Sequence, residues 1–205
     1  MNHDIPGIEW AVAQRPLPGE QVSGDYYVVR PLAEGVLLAA IDGLGHGPEA
    51  ARASRTAAEC LTCASPGRSL DAMVRECHEA LRGTRGVALT VAIYQAALGT
   101  LQWASVGNVE GVLWHRPGQP DCQRQCVTLR GGVVGYQMPS LHVATVAAEA
   151  GDICCLASDG ISSGFVEKTP AFLEPRRLAD YILERYGKTT DDALVLAVRF
   201  GTEGP

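Results

Sequence analysis

The sequence predicts an α+β fold in which antiparallel β-sheets are covered by a few helices. Three observations predict it. Apolar runs of strand length recur along most of the chain. Few stretches carry helical spacing. The elements run as strands, two helices, many strands, one helix and one strand, which is not the βα alternation that builds a parallel sheet.

Residues 8–13 alternate loosely and read as a strand, and residues 26–30 are rich in β-formers. Residues 35–41 are an unbroken apolar run, as expected of a strand buried on both faces. After a glycine-rich turn, Pro48 suits the first turn of a helix. Residues 48–63 are rich in Ala and carry Glu49, Arg52, Arg55 and Glu59 at helical spacing. Ser65-Pro66-Gly67 breaks that helix, and Ser69 caps a second one over residues 70–81, with Asp71 where the helix dipole favours an anion. Strands then dominate. Residues 87–94 form one, residues 101–106 another after a Gly99-Thr100 turn, and residues 112–115 a third after Gly107-Asn108. Residues 117–125 read as loop, and residues 126–129 and 141–147 as further strands. Residues 152–157 are an apolar strand leading to Asp159. Residues 175–186 form a helix with Leu178, Ile182 and Leu183 on one face, residues 193–200 the last strand, and residues 201–205 a frayed tail.

The chain has 205 residues and no long polar linker, so one domain over residues 1–205 is expected. Its 46% hydrophobic content is enough to fill a sizeable core. A net charge of -6 opposes nucleic acid as a partner, because phosphate-backbone binding needs clustered Lys and Arg. The start, Met1-Asn2-His3-Asp4-Ile5-Pro6, lacks the basic and then apolar pattern of a leader, and no apolar run nears the ~20 residues of a membrane helix. A soluble, cytoplasmic chain without a membrane partner is expected. Seven cysteines, an odd count, argue for reduced thiols. Cys60-x-x-Cys63 lies inside a helical pattern and Cys122-x-x-x-Cys126 is a poor second half for a zinc site, so small buried or half-buried thiols are expected, with Cys154 and Cys155 in the core.

The chemistry-bearing signal is a set of acids in short distinctive frames. Asp25 stands in Ser23-Gly24-Asp25-Tyr26, and Asp42 in Ile41-Asp42-Gly43-Leu44-Gly45-His46-Gly47. Asp159 stands in Ala157-Ser158-Asp159-Gly160-Ile161, and Asp191 in Asp191-Asp192-Ala193. Three of them sit at an end of a strand-like run, where a sheet hands its backbone to loops and sites gather. Carboxylates are hard oxygen donors, and several converging on one point repel unless a divalent cation lies between them. The glycines after Asp42 let the backbone turn sharply and approach a ligand, and the Gly43 carbonyl could add an oxygen. These residues read as a metal–carboxylate active site.

The ordered set of frames resembles the metal-dependent Ser/Thr protein phosphatases, the PPM or type 2C family. The frames are Gly24-Asp25, an apolar strand into Asp42-Gly43-x-Gly45, Gly107-Asn108 in mid-chain, Ser158-Asp159-Gly160, and Asp191-Asp192 before the last strand. Together they span nearly the whole chain. Its compact length and Asp-Gly-Leu-Gly-His-Gly are most similar to the bacterial SpoIIE/RsbU/RsbX branch, and Ser105-Val106-Gly107-Asn108-Val109-Glu110 points to the RsbX type. The resemblance implies a four-layer αββα sandwich, two antiparallel sheets flanked by helices. It implies Asp42 as the ligand bridging two metals, the Gly43 carbonyl and Asp25 on one metal, and Asp159 and Asp191 on the other, with Asp192 the second choice. The implied cofactors are two Mn²⁺ or Mg²⁺ ions, consistent with all-oxygen ligation. Asn108 stands where many members have a third-metal Asp, which disfavours a third ion.

Other positions depart from the family. The phosphate-holding Arg of larger members is missing from Pro18-Gly19-Glu20-Gln21. Arg15 is the nearest basic residue in sequence, and a solvated strand-end charge is the expected reading for it. His46 lies four residues after Asp42 and is read either as a general acid toward the leaving oxygen or as a structural contact at the start of the next helix. The family's flap is much longer than the segment between Ser162 and Glu174, so the site is expected to be open to a protein-sized partner, with Lys168 in that loop. His3, His78, His115 and His142 show no ligand spacing and are expected to be structural or at the surface. The resemblance implies a phosphoserine/phosphothreonine phosphatase acting through Asp42, Asp159 and His46. Its implied partners are phosphorylated STAS-domain proteins of a stressosome, of the RsbS and RsbR type. The alternatives are an anti-anti-sigma factor as substrate, or a non-catalytic phosphoprotein-binding module.

Overall fold

A computed structural model describes residues 5–65 and 67–201. Met1–Asp4 with His3, the helix-breaking Pro66 and the tail beyond Gly201 lie outside the described residues.

Among the described residues ten strands and four α-helices follow one another, with a 3-10 turn at Ala96–Leu98: β1 (Ile8–Arg15), β2 (Asp25–Leu32), β3 (Gly35–Gly43), α1 (Gly47–Cys63), α2 (Leu70–Ala80), β4 (Val87–Gln95), β5 (Thr100–Val106), β6 (Glu110–His115), β7 (Gln123–Cys126), β8 (Ala144–Ala147), β9 (Ile153–Ala157), α3 (Phe165–Lys168), α4 (Pro175–Tyr186) and β10 (Ala193–Phe200). The strands form two five-stranded antiparallel sheets, ordered β1-β10-β9-β6-β7 and β2-β3-β4-β5-β8.

Period-two alternation builds the layers. On β3, Val36, Leu38 and Ala40 face the other sheet, while Leu37, Ala39 and Ile41 pack beneath α1 and α2. On β10, Leu194, Leu196, Val198 and Phe200 face inward, and Ala193, Val195 and Ala197 pack against α4 and Phe165 of α3. Three apolar clusters thus separate four layers: helices, sheet, sheet, helices. The expected αββα sandwich is present, and the unbroken apolar runs are explained by burial on both faces. No helix among the described residues is long and apolar enough to cross a membrane.

The departures are local. Residues 117–125 are not all loop, because Gln123–Cys126 pair with β6 as an edge strand whose side chains are all exposed. With no buried face it carries no apolar pattern to read. Of the strand expected over residues 126–129 only Cys126, the last residue of β7, is in a strand, and the one expected over residues 141–147 begins at Ala144. Phe165–Lys168 adds a helical turn inside the short segment expected as loop. Cys154 and Cys155 are in the core as expected. Cys63, Cys122 and Cys126, however, are exposed rather than half-buried.

Candidate metal centre

The inward stripe of three strands ends in a polar residue at one end of the sandwich. On β3, the series Val36, Leu38, Ala40 arrives at Asp42. On β9, Cys154 and Leu156 lead to Ser158. Ahead of Leu194 on β10 stands Asp192. Asp25, the first residue of β2, pairs directly with Asp42 in the antiparallel register. The two sheets are joined there by side chains. Ser158 Oγ donates to Asp25 Oδ2 at 2.6 Å and accepts from the Leu194 N–H at 2.9 Å. Asp192 accepts from the Leu17 N–H and the Gly24 N–H, both at 2.8 Å.

Two carboxylates opposed across strands repel, and burial strengthens the repulsion. Asp25 is 2% exposed, and its pKa is pushed up to about 7. Burial is the main cause; the Ser158 hydrogen bond opposes it, and the charges of Asp192, Asp159 and Asp191 add to it. Asp42 is pushed up to about 9 by burial first, then by Asp25, Asp159, Asp191 and Asp192. Asp191 is also raised, by burial and by Asp159. These carboxylates therefore share one field, with nothing among the described protein groups to neutralise it fully.

That donor set fits hard divalent cations. It is all oxygen, and the mutual repulsion is what a cation would relieve. Among the described residues no three Asp, Glu, His or Cys side chains close on one point as a ready-made cage. Mg²⁺-type sites hold their ion through one or two carboxylates plus waters, so a full cage is not required. Asp25, Asp42, Asp159, Asp191 and the Gly43 carbonyl are the groups available to hold such ions.

The surrounding glycines are demanded by space. A Cβ on Gly43 would stand 2.3 Å from the Ala50 carbonyl oxygen, and one on Gly160 would stand 1.8 Å from that of Asp192. Ser54 of α1 donates to the carbonyls of Gly24 and Ala50, tying the helix to the Asp25 turn. Gly45, at φ +86°, makes the left-handed turn into α1.

The acids selected from the sequence come together here, and several of their neighbours behave differently from expectation. Asp192 is a clasp for residues 17 and 24, since both its oxygens are engaged by backbone N–H groups; among the described residues Asp191 accepts only the Asp192 N–H, at 2.9 Å. His46 makes no helix-capping hydrogen bond; its Nδ1 lies 2.7 Å from Glu20 Oε1. Asn108 donates to Asp159 Oδ2 at 2.6 Å. Arg15 is not a solvated strand end, because its Nη2 donates to the Lys188 carbonyl at 2.7 Å. Lys168 is exposed, as expected. His78 accepts from the Gly135 N–H and His115 pairs with Asp152, both structural roles, while His142 is at the surface. Ser158, Glu20 and Lys188 had no assigned role from sequence. Ser158 was legible in principle, as the next inward position after Leu156. The other two meet the site only through tertiary contact.

Comparison with known proteins agrees with this fold. The family model for Stage II sporulation protein E (SpoIIE) matches residues 33–201. Among curated proteins, no sequence matches significantly. Solved structures do. A chain from work on the bacterial stressosome, a modular system adapted to control secondary messenger signalling, is 32% identical with a TM-score of 0.85, covering 94% of this chain and 99% of that one. RsbX in complex with magnesium is 18% identical with a TM-score of 0.81, covering 97% of this chain and 98% of that one. The catalytic domain of the serine/threonine protein phosphatase PstP with two manganese ions is 20% identical with a TM-score of 0.72, covering 96% of this chain and all of that one.

Proposed function

The chain belongs to the SpoIIE family of PP2C-type phosphatases, and on that premise we propose that it is a metal-dependent phosphoserine/phosphothreonine protein phosphatase of the RsbX type. One observation carries the reading: Asp25, Asp42, Asp159 and Asp191 meet at one end of the sandwich in a mutually repelling set that a binding module would have no reason to keep. Mn²⁺ or Mg²⁺ ions, two in our reading, would supply a bound water of lowered pKa and neutralise charge on the phosphoryl group.

The chain's own residues do the rest. Asp25 and Asp42 on one sheet, and Asp159 and Asp191 beside strands of the other, would hold those cations as carboxylates. Ser158 keeps Asp25 oriented and favours its charged form. Asn108 fixes one oxygen of Asp159 with a neutral donor, which supports two ions rather than three. His46, with Nδ1 held by Glu20, leaves Nε2 to deliver a proton to the departing serine or threonine oxygen.

Phosphorylated STAS-domain proteins of a stressosome, of the RsbS and RsbR type, are the substrates we propose, and the cytoplasm is the compartment. The likeness to a chain from stressosome work supports this over an anti-anti-sigma factor. The test is phosphate release from phosphorylated scaffold protein with and without Mn²⁺. Release only with Mn²⁺ is expected. Metal-dependent hydrolysis of a generic phosphoester, with the scaffold untouched, would keep the chemistry and move the partner.

A further inference from the structure

We propose that Lys188 positions the substrate phosphate at the carboxylate site, taking the part of the arginine that Pro18-Gly19-Glu20-Gln21 lacks. The inference rests on the phosphatase reading and extends it to a residue outside the acidic set. A phosphoryl group brings negative charge to a mouth already lined by Asp25, Asp42, Asp159, Asp191 and Asp192, in a chain of net charge -6. A fixed cation of the protein would assist metal in positioning such a group there.

Lys188 is that cation. Its ammonium donates to the main-chain oxygen of Asp159, and its charge reaches Asp191 and Glu110, favouring the ionised form of each. Its backbone is held on both sides: the Lys188 N–H donates to the Gly160 carbonyl at 2.7 Å, and its carbonyl accepts from Arg15 Nη2 at 2.7 Å. Gly187 is constrained as well, since a Cβ there would stand 2.4 Å from the Leu183 carbonyl oxygen. An ammonium has three donors. One is spent on Asp159, and among the described residues no carboxylate pairs with Lys188, so two N–H groups and the unquenched charge are open to a ligand.

The neighbouring cations are placed otherwise. Arg15 supports the Lys188 backbone. Arg85 lies at the Gly45 turn, with Nη1 2.7 Å from where a Cβ on Gly45 would stand. A point charge on a flexible stem, pinned at its root, suits a phosphate that must enter and leave.

The experiment compares wild type, Lys188→Met, Lys188→Gln, Lys188→Arg and Arg85→Met, each loaded with Mn²⁺. It reads Mn²⁺ binding and inorganic phosphate binding by calorimetry, and KM and kcat on an aryl phosphate. Loss of one charge-assisted contact predicts roughly ten- to a hundredfold weaker phosphate binding and a matching rise in KM for Lys188→Met, with Mn²⁺ binding retained. Lys188→Arg should recover most of the affinity. Lys188→Gln keeps a donor for the Asp159 carbonyl and should lose affinity like Met, so it reads the charge alone even where the Met variant unfolds. Unchanged phosphate affinity in Lys188→Gln, or the loss appearing in Arg85→Met instead, overturns the proposal. A wild type inert with Mn²⁺ would take down the phosphatase reading and this inference together, whereas an active wild type with an unaffected Lys188→Gln removes this inference alone.

Discussion

Asp191 and Asp192 are neighbours of the same type, and the structure gives them opposite roles that a pair of substitutions separates. Asp192 is 3% exposed and accepts backbone N–H groups of Leu17 and Gly24, both at 2.8 Å. Hydrogen bonds to a charged acceptor contribute about 1.5–3 kcal/mol each, so Asp192→Ala removes about 3–6 kcal/mol. The same change relieves repulsion on Asp25 and Asp42, whose pKa values Asp192 raises. We take about 3 kcal/mol as the net loss, which for a chain of 205 residues lowers Tm by about 6–12 °C. Asp191 accepts only the N–H of its neighbour and is partly exposed, so Asp191→Ala should cost under about 1 kcal/mol without metal. Mn²⁺ narrows that gap. Wild type gains stability as metal binds only the folded state, by about 2.7 kcal/mol at a hundredfold excess over Kd; Asp191→Ala should lose that gain, and Asp192→Ala should keep much of it. Thermal melts of the three proteins with and without Mn²⁺ provide the assay. Equal melting of the two variants without metal, or full Mn²⁺ stabilisation of Asp191→Ala, would refute the assignment.

Ser158→Ala removes the 2.6 Å hydrogen bond that joins the sheets and leaves the Leu194 N–H without its acceptor, so a loss of about 2 kcal/mol is expected by chemical denaturation, together with weaker Mn²⁺ binding by calorimetry. Binding as tight as wild type would contradict the orienting role of Ser158. The metal-free protein should also lose stability as pH rises. Asp25 and Asp42 have folded pKa values raised to about 7 and about 9 from 3.8, so their contribution is fully present below about pH 4 and is lost as pH rises through those two values. Denaturant midpoints should therefore fall between about pH 4 and pH 9 without metal and fall less with saturating Mn²⁺. A flat profile without metal would contradict the burial and mutual repulsion of these two carboxylates.

Where an element has two buried faces or a strict period, the sequence carried its position. The helix over residues 175–186 and the last strand over residues 193–200 match their expected bounds, because Pro175 opens the one and an apolar run fills the other. The exposed edge strand Gln123–Cys126 has no such pattern, because its pairing rather than its burial makes it a strand. The acids were visible through their glycine-rich frames, and the space around Gly43 and Gly160 explains why glycine stands in those frames. Which of Asp191 and Asp192 turns inward was not visible. It depends on where the loop holding Leu17 and Gly24 lies, and that loop is more than 160 residues away in the chain. Arg15 and Lys188 meet in the same non-local way, across 173 residues.

The central claim is hydrolysis of a phosphoester at the Asp25–Asp42–Asp159–Asp191 cluster with divalent metal. Its most direct test is the rate of phosphate release from a phosphoserine protein, measured for wild type and Asp42→Asn with and without Mn²⁺. Asn is nearly isosteric with the protonated Asp42 of the metal-free protein, so folding should be preserved. The account predicts Mn²⁺-dependent turnover in wild type and its loss by at least a hundredfold in Asp42→Asn, of the order expected when an ion-holding group is removed from a site that depends on it. Retained turnover in the folded Asp42→Asn protein, or turnover in wild type that is indifferent to metal, would contradict it.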